Sequence, residues 1–295
     1  MDSALLRTFL KTVDEGSLTG AARALGISQP SLTQQIQRLE RHFGAPLFRR
    51  HGRGVVPTDA GAALIPRARR ILDELREAED AVREHDEAPG VLRVGVIPTV
   101  APYLVPDALR RLRSEHPAQR VSIHETHSAA LARLLADGEL DVVIAAQPYP
   151  FDPALVVEAL GADRLVVAVP THHPAARAGV ITLAELREAP AIVLDAVHCL
   201  SDQVAEFCSR QGVHPAIVCR GAQLATVLEL VAAGVGVSVV PAMAAARYRG
   251  SACVFVPVAG QEVMREIVAV WPARGARSRA AESLVECLRT VVRGW

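Results

Sequence analysis

Apolar residues recur at helical spacing through the first part of the chain. Leu5, Leu6, Phe9, Leu10 and Val13 mark one amphipathic helix. Ser17 or Thr19 is placed to cap a second, which carries Ala21, Ala22 and Leu25 and ends at Gly26. Ser28 caps a third, with Pro30 near its first turn, where proline is tolerated. The third helix is predicted to run to about His42, with Leu32, Ile36, Leu39 and Phe43 inward. Its other face presents Gln29, Ser31, Thr33, Gln34, Gln37 and Arg38, side chains that reach base edges and phosphates in a DNA major groove. Beyond Gly44, the stretch Leu47 to Pro57 holds Arg49, Arg50 and Arg53 among glycines and valines, the pattern of a basic β-wing.

The period then changes. Leu64, Ala68, Ile71, Leu75, Ala78 and Val82 are spaced 4-3-4-3-4, an a/d heptad seam. Such a helix pairs with a second copy or packs on its own domain. A seam this short is marginal alone, so other contacts must help. Glu87-Ala88-Pro89-Gly90 reads as a hinge.

From Val91 onward, short apolar runs alternate with helical stretches. Val91–Ile97, Val121–Ile123, Val142–Ala146, Leu165–Val169, Ala191–Leu194, Ile217–Val218 and Val235–Val240 are predicted as buried strands. Helices are predicted over 102–115, 128–137, 182–188, 201–211 and 222–233, with a loop at 195–200. This alternation implies α/β units with parallel strands, which bind ligands outside the strands' carboxyl ends.

Charge sharpens the reading of the N-terminal part. The 295-residue chain has no net charge, yet residues 20–60 carry six arginines against Glu40 and Asp59. A locally basic module fits phosphate contacts. The five cysteines (199, 208, 219, 253, 287) are odd in number and make no disulfide scaffold. Early charge at Arg7 and Lys11 argues against a signal peptide. The uncharged run Leu230 to Ala246 holds Gly234, Gly236 and Pro241, which suits a helix end, a turn and a buried strand rather than a membrane span. A cytoplasmic protein without membrane contact is predicted. No cofactor or metal is predicted: His124, His127, Cys199 and Cys208 lack tight ligand spacing. No glycine-rich phosphate loop or G-x-S-x-G elbow is present.

The combined order is specific. Phe9, Thr19, Ala21-Ala22, Leu25, Ser28-Gln29-Pro30, Leu32, Gln35-Ile36, Leu39-Glu40, Gly44, Leu47-Phe48 and Arg50 together resemble the signature of LysR-type transcriptional regulators. The resemblance implies a winged helix-turn-helix over residues 1–58 and a linker, dimerisation helix and hinge over 59–88. It implies a regulatory domain over 89–295, a periplasmic-binding-protein-like pair of α/β subdomains. Subdomain I would take 89–162 plus 267–295 and subdomain II 163–266, with chain crossings near 161–164 and 264–268. Implied partners are pseudo-palindromic double-stranded DNA, a second copy in a homodimer, further copies in a tetramer, and RNA polymerase. Cleft residues would come from Pro98-Thr99, Thr126–Ser128 and 196–203.

Two segments are similar to the peroxide-sensing OxyR branch of that family: Gly95-Val96-Ile97-Pro98-Thr99-Val100-Ala101-Pro102-Tyr103-Leu104, and His198-Cys199-Leu200-x-Asp202-Gln203 with Cys208 following in step. A third, Val231 to Gly236 leading to Val239-Val240-Pro241-Ala242, is shared across the family. The resemblance implies that Cys199 attacks hydrogen peroxide and that Cys208 resolves the sulfenic acid into a disulfide. Thr99, Ser128, His198, Asp202 and Arg265 match polar positions that line or support the peroxide site, and the implied output is control of antioxidant genes. Ser201 departs from the pattern, because the branch usually carries arginine there. It removes a cation near Cys199, or supplies a helix cap.

Two other readings stay open. A regulator of the same architecture would bind a small organic metabolite in the cleft, with Thr99, Ser128 and Arg265 as anchors and the cysteines as passengers. A thiol peroxidase or solute-binding enzyme is the reading from a different class; the N-terminal module argues against it and for a non-enzyme.

Overall fold

A computed structural model describes residues 2–52, 54–83, 90–272 and 277–294. The chain divides into two compact units, residues 1–88 and 89–295.

In the first unit, α1 (Ser3–Glu15) is capped by Asp2 and ends on Gly16 in the left-handed conformation. Ser17 caps α2 (Leu18–Ala24) by accepting from the Gly20 amide. Ser28 caps α3 (Gln29–Phe43), which carries Pro30 in its first turn and stops at Gly44. Strands β1 (Phe48–His51) and β2 (Gly54–Pro57) form the antiparallel wing. Glu40 anchors it from α3, accepting from the Leu47 amide at 2.8 Å and the Phe48 amide at 3.4 Å. Gly54 is required for close approach: a Cβ there would sit 2.4 Å from the Gly16 carbonyl oxygen, which accepts from the Val55 amide at 2.9 Å.

Leu6, Phe9, Ala21, Leu32, Leu39 and Leu47 form the centre of this unit's core. Two expected core residues lie outside it: Leu25 is 36% and Phe43 42% exposed. Phe43 is the last residue of α3, beyond the turn that the core covers. The heptad seam on α4 (Asp59–Arg83) is divided. Leu64 and Ala68 pack into the unit's own core, whereas Ile71 and Leu75 are 37% and 43% exposed. The Val82 side chain, Arg53 and the hinge at 87–89 lie outside the described residues.

The second unit opens with β3 (Val91–Val96), α5 (Ala101–Glu115), β4 (Arg120–Glu125), α6 (Ser128–Ala136) and β5 (Val142–Gln147). There follow β6 (Leu155–Pro170), α7 (Pro174–Ala178), α8 (Leu183–Glu188), β7 (Ala191–Leu194), α9 (Cys199–Arg210), β8 (Ile217–Gly221) and α10 (Leu224–Ala232). The chain ends with β9 (Ser238–Pro241), α11 (Ala242–Arg247), β10 (Cys253–Val256), β11 (Met264–Pro272) and α12 (Arg279–Val292). Among the described residues no helix is long and apolar enough to cross a membrane.

Parallel pairing holds for β3 with β4 and β5, and for β7 with β8. The expectation of parallel strands fails for the rest. The long strand β6 pairs antiparallel with β11, β9 and β10, and β11 pairs antiparallel with β5. The expected chain crossings are thus two hydrogen-bonded strands, with Asp163 opposite Arg265 and Gly161 opposite Ile267. Leu155 to Arg164 mixes polar and apolar positions, so it carries no run of apolar residues to mark it as strand. Strands β10 and β11 and helices α11 and α12 were likewise not among the expected elements. Helix α12 returns to the first subdomain: Ala281, Leu284 and Leu288 share a core with Leu92, Leu104 and Val142. A second pair of cores, around Leu194, Val227 and Val240 and around Val169, Leu186 and Phe207, fills the other subdomain.

A buried cysteine between two subdomains

Helix α9 begins two residues earlier than the sequence suggests, and this places Cys199 at its first position rather than in a loop. His198 is the N-cap residue but makes no side-chain cap bond; its Nε2 meets the Ala222 carbonyl at 2.9 Å. Most of α9 packs in the second subdomain through Leu200, Phe207 and Cys208. Cys199 instead joins the core of the first. The start of α9 therefore spans the junction, and Gln203 ties it there by donating to the Gln147 carbonyl at 2.7 Å.

Arg265, on the crossing strand β11, organises the polar groups around this point. Its side chain is fully buried and forms a 2.9 Å ion pair from Nε to Asp163. Nη1 donates to the Thr99 hydroxyl and Nη2 to the Thr99 carbonyl, both at 3.0 Å. Asp163 also accepts from the Met243 amide at 3.2 Å, at the start of α11. One guanidinium thus holds the β3–α5 loop of the first subdomain and, through Asp163, α11 of the second. Burial pushes the Asp163 carboxyl upward, while Arg265 and the Met243 and Ala242 amides oppose it.

Ser128 opens α6, is buried, and its hydroxyl has no hydrogen-bond partner among the described residues. It nevertheless lies close enough to Cys199 to favour the thiolate without forming a well-made bond. Burial pushes the Cys199 thiol above its ordinary value; Ser128 and Arg265 work against that shift, and Asp202 adds to it. The resting group is a thiol, so the reactivity implied by neighbouring cations is held back by desolvation.

Thr99, Ser128, Cys199 and Arg265 come together as the sequence suggested. Two expected members do not. Asp202 is exposed on the outer face of α9, and the His198 ring is turned to Ala222. Ser201 does not cap α9; its hydroxyl donates to the Leu194 and Asp195 carbonyls at 2.7 and 2.9 Å, fastening the helix start to the end of β7. Asp163 and Gln203 were missed. An acid in the run Leu160-Gly161-Ala162-Asp163, beside an expected crossing, was the available signal for the first.

Cys208 is buried on the same continuous helix, and burial pushes its thiol upward. Nine residues of helix rise about 13 Å. A disulfide needs Cα atoms within about 7 Å. Both cysteines are free, and a bond between them requires α9 to unwind. A separate groove of about 440 Å³ runs beside α9, lined by Pro148, Gln203, Phe207, Arg210, Gln261 and Met264 among others. Cys199, Thr99 and Ser128 do not line it.

On α3, Gln29, Pro30, Gln34 and Arg38 are exposed, and Ser31 and Thr33 are half-buried. Thr33 bonds back to the Gln29 carbonyl, and Gln29 accepts from Thr19 at 3.3 Å. Arg49 and Arg50 are exposed on the wing.

Two family models match: the lysR-family bacterial regulatory helix-turn-helix protein over residues 3–62, and the LysR substrate binding domain over 85–293. The chain belongs to the LysR family. It is a DNA-binding transcriptional regulator of the OxyR-like branch. Among its relatives, the Escherichia coli K12 DNA-binding transcriptional dual regulator OxyR is 33% identical over 93% of this chain and 90% of its own. A probable hydrogen peroxide-inducible genes activator from Streptomyces viridosporus is 36% identical over 81% of this chain and 77% of its own. A full-length OxyR variant from Pseudomonas aeruginosa superposes with TM-score 0.77 at 27% identity, covering 99% of this chain and 97% of that one. A hydrogen peroxide-bound OxyR cysteine mutant from Corynebacterium glutamicum gives TM-score 0.65 at 31% identity, covering 99% and 93%.

Proposed function

We propose that this LysR-family regulator senses hydrogen peroxide through Cys199 and switches by forming a Cys199–Cys208 disulfide. The observation that carries the reading is the placement of both thiols on one helix, with the first beside Ser128 and Arg265 and the second nine residues on. The Cys199 thiolate attacks one peroxide oxygen, the O–O bond breaks, and the leaving oxygen takes a proton to depart as water. The thiolate becomes sulfenic acid. The unpartnered Ser128 hydroxyl is a donor for the incoming peroxide or the departing oxygen, and Arg265 and the α9 N-terminus favour developing negative charge. The Cys208 thiol then attacks the sulfenic sulfur; a disulfide forms and a second water leaves. A cellular dithiol reverses the step. Steady turnover is not part of this scheme: each oxidation is a signal.

The bond and the helix are mutually exclusive, which makes α9 the two-state element that oxidation biases. In the proposed assembly, residues 1–58 form the DNA head, 59–88 the linker, and 89–295 the regulatory domain, divided into 89–162 plus 267–295 and 163–266. The exposed Ile71 and Leu75 continue the heptad and supply a dimer contact. The dimer reads a pseudo-palindromic site with Gln29, Pro30, Ser31, Thr33, Gln34, Arg38, Arg49, Arg50 and Arg53. Assembly to a tetramer, contact with RNA polymerase, a cytoplasmic site of action and antioxidant target genes complete the proposal.

A metabolite-sensing reading is favoured by one observation. Ser201 fastens the helix start to β7, which opposes its unwinding, and the groove beside Gln203 offers a ligand space. Treatment of the reduced protein with equimolar hydrogen peroxide, followed by thiol trapping and peptide mass spectrometry, separates the two. The redox reading predicts a rapid Cys199–Cys208 bond that is absent in Cys199→Ser. Both thiols remaining free over minutes contradicts it.

A further inference from the structure

We propose that Asp163 is a positioning residue for the Cys199 site, acting through Arg265: by neutralising the guanidinium it keeps the resting cysteine unreactive. This rests on the reading of Cys199 as the reactive thiol.

Asp163 and Arg265 are direct partners across β6 and β11 at the subdomain crossing. Their side chains are 1% and 0% exposed, so water does not screen them. Arg265's other contacts, the Thr99 hydroxyl, the Thr99 carbonyl and the Met243 sulfur, are neutral. Among the described residues, Asp163 is the one anion paired with it. The groups acting on Cys199 are Ser128, Arg265 and Asp202, with His198 adjacent in the chain. Tyr103 and, beyond it, Glu125 are the other titratable groups near Arg265. Arg265 is therefore the permanent cation of the set, and its counterion governs how much of its field reaches the sulfur. A bare buried guanidinium acts as a monopole; a contact ion pair acts as a dipole, whose potential falls off faster. The cost of burying two charges yields no extra stability over an apolar pair, which leaves tuning of the site as the use of this arrangement.

The variant Asp163→Asn isolates the charge. It keeps the shape and one oxygen that can accept from Arg265 Nε, so the guanidinium stays on Thr99. The measurement is the pH profile of Cys199 alkylation by iodoacetamide, an uncharged reagent, read at the Cys199 peptide by mass spectrometry. The expected result is a lower pH midpoint than in the unmodified protein, each unit being roughly tenfold in thiolate at neutral pH. An unchanged midpoint would mean that Asp163 is merely structural, and a raised one that it serves to hold Arg265 in place; either overturns the proposal.

Should Asp163→Asn not fold, the double variant Asp163→Leu with Arg265→Met replaces the pair by apolar groups, an exchange that buried pairs tolerate. If Asp163 already cancels most of the cation's field, the midpoint stays within about half a unit of the original. A larger rise overturns the proposal. Peroxide treatment of the same samples keeps the two claims apart. A Cys199 that alkylates at a lower midpoint in Asp163→Asn yet never oxidises would sink the peroxide reading alone.

Discussion

Replacing Ala205 by glycine should make the proposed disulfide harder to reduce. Ala205 lies on α9 between the two cysteines, with its side chain exposed, so the substitution removes little packing. Its effect is on the backbone: glycine in a helix interior costs about 1 kcal/mol relative to alanine. That cost falls on the helical, dithiol state. If the stretch between the cysteines is unwound in the disulfide state, the cost vanishes there. The equilibrium then shifts toward the disulfide by about 1 kcal/mol, which for a two-electron couple is about 20 mV toward more negative potential. The assay is equilibration in glutathione buffers of defined ratio, acid quenching, and quantification of the Cys199–Cys208 bond by mass spectrometry. Ala63→Gly, at an exposed interior position of α4, is the control and should leave the potential unchanged. An unshifted potential for Ala205→Gly, or a shift to less negative values, would refute the coupling of helix unwinding to oxidation.

Three further outcomes are expected. Glu158 accepts from Trp271 and Arg277 at 3.1 Å each and from Arg289. Burial pushes its carboxyl up, but these partners win and hold it below the ordinary range. A depressed folded pKa gives stability that is present above the unfolded value and lost as pH falls through the folded one. Glu158→Gln should therefore cost about 1 kcal/mol at neutral pH, allowing for solvent screening, and lose that deficit below about pH 4, as read by urea denaturation. Leu75→Asp, on the exposed half of the α4 seam, should weaken self-association by at least tenfold in sedimentation experiments while leaving the helix content unchanged. Arg50→Ala on the wing should weaken binding to all DNA sequences alike and lower the slope of log affinity against log salt by about 1; a change confined to one sequence would assign Arg50 to base reading instead.

The N-terminal unit was legible because its signals are local. Ser28 caps, Pro30 sits in the first turn and Gly44 stops the helix through contacts within a few residues. The strands β6 and β11 were not, because what makes them strands is each other: Leu155 to Arg164 has polar positions that only its pairing with Met264 to Pro272 accommodates. The same limit applies at the site. Thr99, Ser128, Cys199 and Arg265 were reached by resemblance, whereas Asp163 is defined by a partner 102 residues away. His198 and Asp202 show the converse. Adjacency in sequence to Cys199 suggested a role that helix geometry withholds, because successive helical residues point in different directions. The α4 seam failed by halves for a related reason: a 4-3 spacing does not say whether the partner is the chain's own core, as for Leu64, or another surface, as for Leu75.

Hydrogen–deuterium exchange of the peptides spanning 199–210, before and after equimolar peroxide, tests the central claim most directly. The account predicts slow exchange in the reduced protein and fast exchange in the oxidised one, with the change abolished in both Cys199→Ser and Cys208→Ser. A Cys199–Cys208 bond that forms while α9 stays protected, or a loss of protection that survives either substitution, would contradict it.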